Sequence, residues 1–170
     1  MAQPEFTDAI ALLKADHRKV EGLFEQFEKA RGDATKQKLC HQICIELKIH
    51  TLLEEEIFYP ALRGKIEDDT LDEAYVEHDG AKVLINDLEA ATPDADFYDA
   101  KVKVLSEEIK HHVHEEEMPK EGMFAQARDT DVDLVELRDR MLARKQELMA
   151  QAEASGLPAA KPHAVNLVTA

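Results

Sequence analysis

The stretches Glu46-Leu47-Lys48-Ile49-His50-Thr51-Leu52-Leu53-Glu54 and Glu108-Ile109-Lys110-His111-His112-Val113-His114-Glu115-Glu116 are two copies of one pattern. Each opens on a Glu with an apolar neighbour and sets a second Glu four residues after a His. Residues four apart share a face of an α-helix, so His50 projects with Glu54 and His112 with Glu116. The first copy continues that face through Ile43, Leu47, Ile57 and Ala61; the second carries Tyr98, Val102, Leu105 and Ile109 on it. Steps alternating between three and four residues mark the buried stripe of a helix. All four polar residues therefore stand where the period asks for an apolar side chain.

The segments before each copy repeat the relation. Ile10, Leu13, His17, Val20, Phe24 and Phe27 form one stripe, and Leu71, Ala74, His78, Ala81, Ile85 and Leu88 form another. His78 follows His17 by 61 residues and His112 follows His50 by 62. Two helical hairpins thus read as copies of one unit, each supplying a His and then His-x-x-x-Glu.

Turn residues delimit the helices. The first runs from about Glu5 to Arg31 and stops at Gly32-Asp33. The second runs from about Thr35 to Gly64, with Pro60 expected to bend or end its regular part. The third spans about Thr70 to Ala91 and is closed by Thr92-Pro93-Asp94; the fourth spans about Ala95 to Met118, ahead of Pro119 and Gly122. A fifth is predicted from about Val132 to Ala154, where Leu134-Val135, Met141-Leu142 and Leu148-Met149 recur every seven residues.

Long helices with short connections give an all-α fold, an up-down-up-down antiparallel four-helix bundle with an additional C-terminal helix and a flexible tail. The expected organisation is a bundle over 1–128, a helix over 129–154 packing on the bundle or on a dimer partner, and a flexible tail over 155–170.

Composition agrees with a single domain at 170 residues, rich in helix formers and with an aliphatic core, since aromatics are 5% and Trp is absent. A net charge of −15 opposes a nucleic-acid groove or an anionic membrane surface. No apolar run is long enough to span a bilayer, and no basic-then-apolar leader opens the chain, so a soluble, cytoplasmic protein is expected. Cys40 and Cys44, four apart, read as small buried residues rather than a redox pair. Ser-His-Asp orders, phosphate-cradling Gly-rich loops and Cys-rich zinc spacings are missing, which leaves hydrolase and nucleotide chemistry without residues.

Burying His17, His50, Glu54, His78, His112 and Glu116 without partners is costly, and two nearby carboxylates repel. A pair of cations removes both penalties, because carboxylates bridge metals and neutral imidazoles donate nitrogen. A metal-free His–Glu network that fixes bundle register is the alternative; the duplication of the whole set favours metal.

With these residues in hand the chain resembles the hemerythrin-like family, the HHE cation-binding domain. The resemblance is carried by Asp16-His17, by His50 through Glu56 with Phe58-Tyr59-Pro60, by Glu77-His78 and by His112 through Glu116, and it covers about residues 8–128. It implies two iron ions, non-haem and bridged by Glu54 and Glu116, with His17 and His50 on one iron and His78 and His112 on the other. Zinc is an alternative metal. A ferritin-type site would need Glu-x-x-His instead.

Oxygen carriers of the family have a further His where this chain has Lys82. The resemblance then implies an open position on each iron, suited to peroxide, dioxygen or nitric oxide, and puts reversible oxygen carriage in doubt. Glu21, in the matching position of the first hairpin, is a candidate additional ligand, an acceptor behind one, or a solvated side chain. Lys82 is expected to snorkel to the surface. Tyr59 and Tyr75 are candidate hydroxyls near the cluster. His41, His111, His114 and His163 are expected at the surface, and Glu55, Glu56, Glu115 and Glu117 on solvated faces.

The functional expectation is a redox-active di-iron protein for such small molecules, acting as a monomer or homodimer. The competing expectation is a non-catalytic iron or oxygen sensor, or interaction module, with a metal-dependent fold.

Overall fold

The computed structural model describes residues 5–168; the outermost ends of the expected bundle and tail, 1–4 and 169–170, lie outside them. The described residues contain no strand. None of their helices is long and apolar enough to cross a membrane. The elements are α1 (Ala9–Lys29), α2 (Asp33–Leu53), α3 (Tyr59–Leu62), α4 (Asp68–Glu89), α5 (Tyr98–Glu117), α6 (Met123–Arg128) and α7 (Leu134–Ser155).

Helices α1, α2, α4 and α5 close a ring in which each touches two neighbours, α1 on α2, α2 on α4, α4 on α5 and α5 on α1. This is the antiparallel four-helix bundle, with α7 as the additional C-terminal helix. Asp8 caps α1 by accepting from the Ala11 N–H at 2.9 Å. Asp133 caps α7, accepting from Val135 at 3.1 Å and Glu136 at 2.9 Å.

Helix α2 does not end at Leu53 but widens into a π-helical turn, Glu54–Phe58, and resumes as α3. Pro60 has no N–H for the carbonyl four residues back, and its ring crowds that carbonyl, so the regular ladder cannot continue through it. The Tyr59 N–H reaches back five residues to the Glu54 carbonyl instead. The extra residue in that turn shifts the buried face: Phe58, Tyr59 and Leu62 are buried while Ala61, expected on the stripe, is half-buried.

The cross-section alternates. One apolar core joins α1 and α2 to α3, α4, α6 and α7 through residues such as Leu13, Leu53, Phe58, Leu71, Phe124 and Met141. A second lies toward the other end and includes Phe24, Cys44, Leu47, Ile85, Leu105 and Ile109. Both cysteines are buried and unbridged, as expected of small core residues.

Helix α7 packs within the chain, against α1 and α2. Its buried line is Leu137, Met141 and Leu148, while Val135 and Met149 stay exposed. Arg138 fastens its start by donating to the Phe6 and Thr7 carbonyls at 3.1 and 3.0 Å.

Two further segments complete the fold. The short helix α6 falls in a stretch read as disturbed by Pro119 and Gly122. Gly122 is required there, because a Cβ would lie 2.5 Å from the Met118 carbonyl oxygen. The segment after Ser155 lies along α2 and α4. Backbone groups from Leu157 to Val165 bond Lys48, Asn86 and Asp79. These partners are polar side chains of the bundle, which helical periodicity does not encode.

Candidate metal centre

Between the two apolar cores lies a polar layer built from one side chain or two on each bundle helix. His17 comes from α1, His50 from the end of α2, Glu54 from the π-helical turn, His78 from α4, and His112 with Glu116 from α5. The structure brings all six together, and all six are buried, Glu54 completely at 0%.

The histidines meet as two pairs. His17 Nε2 and His50 Nε2 are 3.1 Å apart, and so are His78 Nε2 and His112 Nε2. Each carboxylate is divided between the pairs. Glu54 Oε1 lies 3.3 Å from His50 Nε2 and Oε2 lies 3.2 Å from His78 Nε2. Glu116 Oε1 lies 3.4 Å from His112 Nε2 and Oε2 lies 3.3 Å from His17 Nε2. Atoms about 2.1 Å from one transition metal stand about 3.0 Å apart at octahedral angles and about 3.4 Å apart at tetrahedral ones. The observed spacings, 3.1 to 3.4 Å, fall in that interval.

The remaining ring nitrogens face acids. His17 Nδ1 is 2.7 Å from Glu117, His78 Nδ1 is 2.9 Å from Glu55 and His112 Nδ1 is 2.6 Å from Glu77. His50 Nδ1 faces Asp16 at the longer distance of 3.6 Å. The three short contacts fix those rings' tautomer and orientation and aim Nε2 into the layer, while His50 Nδ1 has no hydrogen-bond partner. Lys145, from α7, in turn holds Asp16.

Glu55 and Glu117 were expected on solvated faces; that reading is corrected. Each follows a cluster Glu by one residue and serves the first histidine of the other hairpin. Asp16 and Glu77 precede those histidines and serve the second histidine of their own hairpin. The repeat therefore extends to the outer acids, and its register was the signal that could have found them.

Lys82 is also corrected: it is buried, bonding Glu55 at 2.7 and 2.9 Å and Asp79 at 3.2 Å. Glu21 pairs with Arg18 at 3.3 Å and takes no part in the cluster. His41, His111 and His114 are exposed, as expected. His163 is exposed too, but its ring stacks on Tyr75 at 4.1 Å.

The twofold repeat breaks beneath the layer. Tyr59, under the π-helical turn, stacks on His78 with centroids 5.4 Å apart. Phe124, from α6, stacks on His17 at 5.8 Å. The Tyr59 hydroxyl donates to Glu116 Oε1 at 2.9 Å and lies 3.2 Å from Glu54 Oε2 and from His78 Nε2. Phe124 offers nothing comparable. Glu54 Oε1 and Glu116 Oε2, both on the His17/His50 side, are buried without a hydrogen-bond partner. Unsatisfied buried carboxylate oxygens are costly, and a cation between them and the two imidazoles removes the cost.

Charges in the metal-free layer follow from these contacts. Burial pushes the His50 imidazole down, but Glu54 and Asp16 overcome it and raise its pKa to about 10. Burial likewise opposes protonation of His17 and His112, yet Glu116 and their outer acids raise both. Glu116 is held well below the usual carboxylate range, His112 and His17 outweighing its burial. Burial, then the nearby Glu116 and Glu54 charges, keep the Tyr59 hydroxyl protonated.

Above the layer a cavity of about 20 Å³ touches all four imidazoles and is walled by Val20, Leu47, Ile109 and Val113. That is room for about one water-sized molecule.

Comparison with known proteins identifies the family and the fold. A family model for the hemerythrin HHE cation binding domain matches residues 8–126. A crystal structure of a hemerythrin HHE cation binding domain-containing protein from Mycobacterium kansasii superposes with a TM-score of 0.72 at 22% identity, covering 89% of this chain and 96% of that one. A DNA nickase of Nostoc sp. is 29% identical over 106 residues, 62% of this chain. The matched part spans 30% of that relative's length.

Proposed function

Since the chain belongs to the hemerythrin HHE cation binding domain family, we propose that its buried layer holds two iron ions. In this reading His17 and His50 serve one ion, His78 and His112 serve the other, and Glu54 and Glu116 bridge them. The observation that supports it is the division of each carboxylate between the two histidine pairs, at 3.2 to 3.4 Å. A merely structural His–Glu network would have no need to leave Glu54 Oε1 and Glu116 Oε2 without partners.

Bound iron would supply a redox couple and Lewis acidity for reaction with peroxide, dioxygen or nitric oxide. The chain's own residues do the rest. Val20, Leu47, Ile109 and Val113 limit the reacting molecule to one or two heavy atoms and keep bulk water out. Tyr59, in the apolar core on the other side of the layer, keeps its proton at Oη and donates a hydrogen bond to Glu116 Oε1, which holds that carboxylate in place. Glu117, Glu55 and Glu77 keep the His17, His78 and His112 imidazoles oriented and basic, and the Asp16 charge lies near His50. The net charge of −15 gives no attraction to a nucleic-acid backbone, so nicking is not carried over from the Nostoc relative.

The test is oxygen release from peroxide, and uptake of nitric oxide, by iron-loaded protein. Turnover that disappears in Glu54→Ala together with its iron supports the redox reading. Iron binding with metal-dependent stability and no reaction with any of the three molecules would support a sensor instead.

A further inference from the structure

The docked C-terminal segment reaches the metal centre through a continuous line of hydrogen bonds. Asp79, next to His78 on α4 and 1% exposed, accepts the backbone N–H groups of His163, Ala164 and Val165, each at 2.7 Å. Asn86 brackets the strap earlier, bonding both the N–H and the carbonyl of Ala160 at 2.8 Å. Lys82, one turn beyond Asp79 and 3% exposed, donates to Asp79 Oδ1 at 3.2 Å and to both oxygens of Glu55 at 2.7 and 2.9 Å. Glu55 Oε1 then faces His78 Nδ1 at 2.9 Å. An aromatic line runs parallel, with His163 on Tyr75 at 4.1 Å, Tyr75 on Tyr59 at 5.2 Å and Tyr59 on His78 at 5.4 Å.

The other half of the repeat lacks this arrangement. Glu117, which serves His17, is held by Arg18, a side chain 57% exposed. The position equivalent to Lys82 is Glu21, which points elsewhere. A buried lysine bound to both carboxylate oxygens fixes the Glu55 plane, and with it the His78 ring; an exposed arginine exerts no such hold.

We propose that Lys82 is a positioning residue that ties the docked strap to His78, so that strap docking governs the grip on one of the two metal ions and not the other. The inference rests on the reading that the layer holds two ions, and it assigns the strap-dependent one to His78 and His112. Removing the lysine frees Glu55 to turn into the adjoining cavity, which is lined by Lys48, Leu52, Arg144 and Pro162 among others.

The experiment follows iron release from the ferrous-iron-loaded 170-residue chain into excess chelator, recorded as iron remaining per chain. Lys82→Met and Asp79→Asn should each release one equivalent about 10-fold faster than the unaltered chain, with the second equivalent unchanged. Asp79→Asn should also speed amide exchange in the strap. Acceleration of both equivalents alike would mean general loosening and would overturn the proposal, as would acceleration of neither. An unaltered chain that takes up no iron would overturn the functional reading itself, a result distinguishable from these.

Discussion

Glu54 and Glu116, from diagonally opposite helices of the bundle, each place one oxygen beside either histidine pair, so neither carboxylate belongs to a single pair. In the metal-free chain two buried carboxylates this close are balanced by protonated imidazoles. In the loaded chain the account replaces those protons with two cations.

Loss of a residue proposed to hold iron should lower its binding. Glu54→Ala and His112→Ala should both reduce bound iron sharply, because each removes a donor and leaves a buried cavity. His41→Ala, at an exposed position, should leave it unchanged. Elemental analysis of the three purified variants checks this; equal loading in all three would contradict the ligand assignment.

The metal-free chain has a defined pH response. His50 has a folded pKa of about 10, and His17 and His112 are raised as well. A raised folded pKa stabilises fully below the unfolded value of about 6.5 and is lost as pH climbs through the folded value. Glu54 and Glu116 are depressed, so their contribution is present above about pH 4.3 and is lost as pH falls further. Denaturant midpoints should be highest between about pH 4.5 and 6.5 and should decline toward pH 10. A midpoint that rises across pH 6.5 to 9 would contradict the charge assignment.

Metal uptake must expel those same protons. Calorimetric titration with ferrous iron at pH 7, in buffers of different ionisation enthalpy, should report net proton release. No dependence on buffer would mean that the imidazoles were neutral beforehand.

Tyr59→Phe removes the hydroxyl shared by Glu116, Glu54 and His78 while keeping the ring stacked. The metal-free chain should lose about 1–3 kcal/mol in equilibrium unfolding, the cost of an unsatisfied buried acceptor. Unchanged stability would contradict the shared hydrogen bonds of the Tyr59 hydroxyl.

Much of this was legible in the sequence because the stripes of α1, α2, α4 and α5 are long and regular, and histidine on a stripe is visible as an exception to it. What could not be read has physical reasons. A constant 3.6-residue period cannot foresee the π-helical turn forced near Pro60, which moves Tyr59 beneath Glu54 and leaves Ala61 at the half-buried edge of the core. Glu55 and Glu117 stand inside acidic runs, where composition suggests solvent; what assigns them is the hairpin across from them. Lys82 and the strap are coupled by backbone amides meeting Asp79, a contact between segments more than eighty residues apart that no local pattern records.

The most direct test is elemental analysis of freshly purified, iron-supplemented protein, read against chain concentration. The account predicts two iron ions per chain, falling together when Glu116 is replaced by Ala. A stoichiometry of zero, or iron held just as firmly without Glu116, would contradict it.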